Sequence, residues 1–458
     1  MSPTFEEIAE ELSRGGLVAR IRVRNVTITR IGGYNARPYG SELDLQERPR
    51  SQAIRGVWRW WARALVAGAW YEEYSDFPSS LEDLDELLAP VLGSTNSASK
   101  LSLRVSAGTV QAGVEEAERI KRIARLKLFR PPRSEDKRRY LSEENPRRYF
   151  SPSKLRFTIE LFRRPHASLS SEEKLFSLYS LVLSLALGGV GSITNRGFGS
   201  TQLSVSCADK GCRVLQDTLS RMYAAGNPQD VQECLNSLID NAMSVAKQYL
   251  SRIPEKLKPA QGTQLPRYPV LSRKEITVGK TRAPLFRIQV INKPFPDPTS
   301  ALSRIGSATL KASWKQALKL DPRKESSEKY HTWILGLPRS SEYEGQKTGY
   351  VEQTASGYQN LRRQSAILFS VIPSEKGSRR SYYVAVCGFL TFDWLDLLKR
   401  ESFVHIGGGG EQSVCSLLRE IRDPSSGKLR SLEGLSLEQQ LVEVFETAWN
   451  FVVEILQR

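Results

Sequence analysis

Histidine and cysteine are scarce in this chain of 458 residues, and the chemistry they would build has little support. The three histidines, His166, His331 and His405, share no local motif. RNA-cleaving chemistry wants a paired His, Tyr or Lys, or an aspartate poised at the scissile phosphate. The five cysteines (Cys207, Cys212, Cys234, Cys387, Cys415) are odd in number and scattered, which argues against a disulfide framework and against a C-x-x-C zinc pair. Cys207 and Cys212 are the one close pair and read as incidental. No metal and no cofactor is expected. Also missing is any run of the roughly 18 to 20 apolar residues that a membrane helix needs, so no membrane partner is expected. The acidic start MSPTFEEIAEELSRGG has neither the basic nor the apolar region of a secretory signal, and the expected location is cytoplasmic. The chain contains no G-x-x-x-x-G-K-[ST], no strand-to-helix G-x-G-x-x-G, no H-D pair and no G-G-D-D, so P-loop, Rossmann and cyclase readings have no support.

What is present is a globular composition with a strong positive imbalance. Hydrophobic residues make up 40% and charged residues 25%, with mean hydropathy −0.38, and the length suits two or three domains with their own cores. Lysine and arginine number 66 against 50 acidic residues, a net charge of +16, the footprint of a nucleic-acid partner. Between Arg119 and Arg164 stand sixteen basic and five acidic residues, so one stretch holds most of the excess. Phe129, Tyr140, Tyr149 and Phe150 are interleaved with those arginines, which favours RNA or single-stranded DNA because rings and guanidinium planes stack on bases.

Hydrophobic periodicity gives the order of elements. Residues 18–30 alternate as a half-buried strand that ends at Gly32-Gly33. A helix follows from Ser51, a candidate N-cap, with Ile54, Trp58, Trp61 and Leu65 on one stripe. Arg55, Arg59 and Arg63 form a second stripe. A helix near 80–92 ends at Gly93, and strands are read at 101–107 and 154–162. Ser170 and Glu173 make a capping box for a helix to Leu187, and TQLSVS after the Gly-rich stretch is another strand. Strand, helix, strand, strand, helix, strand is the split βαβ plan of a ferredoxin-like (RRM-like) domain. The basic insertion, about 109–153, lies between its second and third strands.

The second half repeats the first. APLFRIQVIN at 283–292 is a strand and 300–320 a helix, in which Leu310-Lys311-Ala312-Ser313-Trp314-Lys315 matches Ile54-Arg55-Gly56-Val57-Trp58-Arg59. Ile334-Leu335-Gly336 before the strand at 362–372 echoes Val91-Leu92-Gly93. A further strand at 382–392, a Gly407–Gly410 loop and helices near 411–421 and 437–457 follow, and either helix could complete the second domain. The reading is α+β, with two tandem ferredoxin-like domains, a basic insertion and extra helices. The domains are 1–210, a helical segment and linker over 211–283, and 284–458. Trp58, Trp61 and Trp314 fall on apolar stripes as core residues. Trp60 points away from its stripe, towards a subunit interface or a stacked base.

Gly188 to Ser200 holds five glycines with Asn195, Arg196 and Phe198. Glycines let backbone approach phosphate, N–H groups form an anion nest, Arg196 supplies charge and Phe198 a stacking face. This loop, placed after Arg50-Ser51-Gln52-Ala53-Ile54-Arg55-Gly56-Val57-Trp58-Arg59-Trp60-Trp61-Ala62-Arg63 and Gly32-Gly33, resembles the repeat-associated mysterious protein (RAMP) superfamily of CRISPR systems. More narrowly, it is similar to the first-numbered RAMP subunit of the type III-B Cmr effector. The resemblance is strongest over 20–206 and weaker over 283–392.

The resemblance implies a non-catalytic subunit of two ferredoxin-like domains at the head of an RNA-guided complex. It would lie beside the sixth-numbered RAMP subunit, near the 3′ end of the guide RNA (crRNA), holding guide and capturing target RNA. The expected RNA-binding residues are Gly32, Gly33, Arg50, Ser51, Arg55, Arg59, Arg63, Gly189, Gly191, Asn195, Arg196, Gly197, Phe198 and Gly199. Secondary contacts are expected at Arg130, Arg133, Arg138, Arg139, Arg147, Arg148, Lys311 and Lys315. Such contacts would hold the phosphate backbone and leave sequence to base pairing. The competing reading is a RAMP-type endoribonuclease that processes guide or cuts target RNA. A protein-only scaffold would explain the repeat but not the charge.

Overall fold

A computed structural model of the chain describes residues 16–31, 49–107, 150–165, 167–207, 211–252, 265–319, 328–343, 346–407 and 410–458. Gly32, Gly33, His166 and the insertion arginines Arg130, Arg133, Arg138, Arg139, Arg147 and Arg148 lie outside the described residues. The chain is α+β. Among the described residues no helix is long and apolar enough to cross a membrane.

The first sheet contains β1 (Leu17–Asn25), β2 (Leu101–Ala107), β3 (Arg156–Arg163) and β4 (Thr201–Cys207), antiparallel in the order β2-β3-β1-β4. Period-two alternation turns Ala19, Ile21 and Val23 towards the helices and Arg20 and Arg22 to solvent. Helices α1 (Ser51–Tyr74) and α3 (Ser171–Gly188) pack on the apolar face, and α2 (Leu81–Leu92) packs on α1. Ser51 is the first helical residue of α1 and not its cap; Arg50 takes the cap position without a side-chain bond. The start of α2 is fixed by a capping box of Ser80 and Asp83, and that of α3 by Ser170 and Glu173. From Phe176 to Leu187 helix α3 is buried on all sides, and the serine hydroxyls along it bond back to its own carbonyls. Ser180 also accepts from the Trp58 indole N–H at 2.8 Å.

Two helices follow, α4 (Gly211–Ala224) and α5 (Pro228–Leu250). The Cys207 and Cys212 sulfurs are joined, with Cα atoms 6.3 Å apart, tying the end of β4 to the start of α4; the pair is therefore not incidental. Residues 265–284, within the expected linker, are packed against α1. The Leu271 N–H donates to Ala64 O at 2.8 Å, and Gly68 admits that backbone because a Cβ there would stand 2.1 Å from Leu271 O. This segment ends in a hairpin of β5 (Glu275–Val278) and β6 (Thr281–Pro284).

The rest of the chain runs β7 (Phe286–Val290), α6 (Pro298–Ala308), α7 (Lys311–Ala317), β8 (Arg339–Tyr343), β9 (Gln346–Thr354), β10 (Gly357–Gln359), β11 (Ile367–Lys376), β12 (Arg379–Phe389), β13 (Phe403–Ile406), β14 (Glu411–Ser413) and α8 (Leu437–Gln457). A three-stranded sheet in the order β11-β12-β7 matches β2-β3-β1 of the first. A second sheet, β10-β9-β13-β14 with β8 on β9, is an addition. Helix α6 packs on β11, β12 and α8, so α6 and α8 take the places of α1 and α3. The helix expected over 300–320 is broken at Thr309 and Leu310, and the six-residue echo falls on α7, which packs beside α6 and α8. The second echo is structural. Gly93 and Gly336 both have positive φ, each Cβ would sit 2.9 Å from the N of Ser99 or Ser365, and those serine hydroxyls bond both backbone groups of Leu101 or Ile367.

Candidate nucleic-acid interface

The arginine stripe of α1 faces α2 and β2. Arg63 donates Nε to Asp85 Oδ1 at 2.9 Å and Nη2 to Oδ2 at 2.5 Å, while Arg59 reaches Oδ1 at 3.2 Å. Arg59 also donates to the carbonyls of Leu92 and Gly93 at 3.2 and 2.9 Å, closing the C-terminal end of α2. Burial raises the Asp85 carboxyl, but Arg63 and Arg59 outweigh it and hold the group below its ordinary value. Arg55 bonds Leu101 O at 3.2 Å, and burial, then Arg164 and Arg59, depress its guanidinium. Arg59 and Arg63 thus tie α2 to α1 through Asp85 and the end of α2. Arg50 is exposed, and Ser51 meets the neighbouring Gln52 side chain.

The Gly-rich loop packs into the junction between the two sheets. Gly189, Gly197 and Gly199 are buried with φ near +70°, and a Cβ on Gly199 would stand 1.8 Å from Val190 O. The loop's N–H groups turn inward: Val190 to Gly199 O, Ser192 to Arg30 O and Gly199 to Ile28 O, at 2.8–3.0 Å. Gly197 lies against Ile305 and Leu302 of α6. Arg196 and Phe198 are 7% and 3% exposed, and the Arg196 guanidinium crosses to Leu335 O, with Ser365 Oγ at 3.5 Å and the Phe369 ring centroid at 5.9 Å. Neither residue presents charge or a stacking face to solvent, which corrects both expectations. The glycines serve close packing between backbones, the same freedom the sequence assigned to phosphate approach.

Only the rim of this loop reaches a cavity. Gly191 is exposed, and Thr194 and Asn195 line a cleft of about 240 Å³ with Gly56, Val57, Trp60 and Gln364. The face of α1 that meets the loop is therefore Gly56-Val57-Trp60, not the arginine stripe. Trp60 is half-buried, its ring edge-on to Phe389 of β12 with centroids 5.3 Å apart. It joins the two halves of one chain. Trp58, Trp61 and Trp314 are core residues, as read.

In the second half Lys315 is 6% exposed and does not offer a phosphate contact. Lys311 approaches His405 Nε2 at 3.1 Å and lies over the Tyr350 ring at 5.5 Å. Burial, then Lys311, lowers the His405 imidazole to about 3. Burial also lowers His331 to about 4. Its Nδ1 accepts from the Trp333 indole at 3.3 Å, so Nε2 donates to Glu420 O at 2.9 Å. Both rings are buried and bonded within the fold. Sequence reasoning missed the outward arginines of the first sheet, although the alternation in LVARIRVRN already put Arg20, Arg22 and Arg24 on one face.

The RAMP superfamily model matches residues 50–202, a span that contains both the Arg50–Arg63 motif and the Gly-rich loop, so the resemblance drawn from those motifs holds. No curated protein sequence matches the chain. Among solved structures, the chain is similar to one in the cryo-EM structure of type III-B Cmr-beta bound to cognate target RNA and AMPPnP in the presence of ssDNA (15% identity, TM-score 0.57, 95% of this chain and 100% of that one). It is likewise similar to one in Cmr-beta bound to cognate target RNA (16%, TM-score 0.54, 95% and 100%). Apo Cmr1 from Pyrococcus furiosus also matches (19%, TM-score 0.47, 82% and 88%). At such identities the likeness to the two Cmr-beta chains is one of fold.

Proposed function

We propose that this chain is a non-catalytic, RNA-binding subunit of a type III-B Cmr RNA-guided complex, built from two ferredoxin-like domains, the second of which shows three of its four strands among the described residues. It sits at the head of the complex beside the sixth-numbered RAMP subunit and near the 3′ end of the guide, where it holds guide and helps capture target. The observation that carries this reading is the match of fold along 95% of the chain to a chain of Cmr-beta at TM-score 0.57, with the superfamily match inside it. The net charge of +16 supports a polyanionic partner. His331 and His405 support the non-catalytic assignment, because a buried neutral imidazole bonded to its own fold is not placed to exchange a proton with RNA.

Reconstitution with the other Cmr subunits and a guide bearing photoreactive nucleotides at each end tests the proposal. The chain should enter the complex and crosslink at the 3′ end of the guide. With magnesium or manganese the purified chain should leave guide and target RNA intact. Exclusion from the complex would overturn the assignment, and reproducible cleavage abolished by one substitution in this chain would overturn its non-catalytic half.

A further inference from the structure

Among the described residues the first sheet carries helices on one face only, and its other face is a field of arginines. Strand register fixes the pattern. Arg20 stands between Glu160 and Ser206, Arg22 between Thr158 and Ser204, and Arg24 between Arg156 and Gln202, while Arg104 flanks Glu160 from β2. The face thus presents five arginines and one carboxylate, Glu160, which Arg20 already holds at 2.8–2.9 Å. Arg24 bonds Gln202 at 3.1 Å and reaches Glu375 at 3.4 Å, a carboxylate shared with Arg380 at 3.0 Å. Among the described residues no acid pairs with Arg22, Arg104 or Arg156, and all three are exposed.

This arrangement works against the sheet. Arg24 and Arg156 are directly opposed across β1 and β3, and like charges in that position destabilise a strand pair. The cost is offset when a polyanion lies on the face. Successive outward residues on β1 are spaced by about 6.6–6.8 Å, a step comparable to that between phosphates of an extended single strand. The neighbours Thr158, Ser204 and Ser206 are short hydroxyl groups that leave guanidinium groups standing clear. Phe162 is the one ring on this face of the strands and is half-buried, so the chemistry suits phosphate more than stacked bases. At the Arg24 end the strip continues over Arg380 to the exposed Lys376 and Arg379 at the β11–β12 turn.

We propose that this sheet face binds the phosphate backbone of single-stranded RNA, with β1 as its axis and the β11–β12 turn as its continuation. The inference rests on the RNA-binding reading above and names its surface. It replaces the arginine stripe of α1 and the Gly-rich loop, both of which the fold uses internally.

The test is anisotropy of the full chain with a labelled single-stranded RNA of mixed sequence over a series of salt concentrations. R22A/R104A/R156A should lose at least about tenfold in affinity and flatten the log–log salt slope by about 2, near 0.7 for each lost phosphate contact on a single strand. T158E, which adds a carboxylate beside Arg22 and removes no arginine, should weaken RNA binding while raising the melting temperature, a divergence that a folding defect cannot produce. R130A/R133A/R138A/R139A in the insertion is the comparison. If that variant loses RNA while the triple variant and T158E bind as wild type does, the face is wrong and the RNA reading stands. If wild type binds no RNA even at low salt, both fall. If the triple variant keeps its RNA affinity but no longer enters the complex, a partner protein covers the face and the proposal is overturned.

Discussion

At the scale of single residues, the arginines of α1 and Arg196 show how one side chain serves two chemistries. A guanidinium recognises carboxylate, carbonyl or phosphate with the same fork of donors. Sequence fixes the residue type but not the acceptor. Asp85 stands 22 residues from Arg63 and no local pattern couples them. His331 and His405, by contrast, are bonded within the fold, and their burial yields a prediction. The unfolded imidazole titrates near 6.5, and burial lowers folded His331 to about 4 and His405 to about 3. Below 6.5 the unfolded chain therefore binds protons that the folded chain refuses, so stability is full above about pH 7 and falls as pH drops. For His331 alone the loss between pH 7 and pH 5 should be about 2 kcal/mol. Urea midpoints at the two pH values should accordingly converge in His331→Gln relative to wild type. An unchanged gap would show that the ring is protonated, or exposed, in the folded chain.

At the scale of elements, the capping box of α3 and the bounds of β2 could be read from sequence because each is set within a few residues. The echo at Gly93 and Gly336 could be read too, since only glycine serves where positive φ brings a backbone to 2.9 Å of a serine amide. The alignment of α1 with α7 failed because six residues of similar pattern fix neither a helix boundary nor a packing partner. What lay beyond local reasoning was how exposed strand edges are closed. Tyr223 and Gln216 of α4 bond Leu203 N and Val205 O on the outer edge of β4, and Gln232 of α5 accepts from Val290 N on the outer edge of β7 at 2.6 Å. Helices thereby satisfy edges that would otherwise recruit a foreign strand. Gln232→Ala should cost about 1–3 kcal/mol, the penalty for stranding a buried N–H, while Gln232→Glu, which keeps an acceptor, should recover part of it. Equal losses in urea unfolding for the two variants would mean that Gln232 acts by packing and not by closing the edge.

At the scale of the whole molecule, the two halves are joined by the element that sequence assigned to RNA. The Gly-rich loop sends Arg196 to Leu335 O, places Gly197 against Ile305 and offers Ser200 Oγ to Val371 N at 2.9 Å. Ser370 Oγ returns a bond to Ala186 O at 2.7 Å, so the contact is reciprocal and polar as well as apolar. The proposed RNA strip crosses this same junction from Arg24 to Arg380, and its continuity depends on the two sheets keeping their register. Arg196→Ala would strip a buried carbonyl of its donor and leave a cavity, a loss of about 2–4 kcal/mol concentrated at the junction. Because each half has its own sheet and helix layer, the damage should divide one cooperative thermal transition into two, and should expose the junction to limited proteolysis before either half melts. RNA affinity should fall for strands long enough to span both halves and change little for strands that cover β1 alone. A single transition at the wild-type midpoint would show that the remaining loop contacts suffice. If short and long RNAs then lost affinity equally, the defect would lie in the first sheet and not in its register with the second.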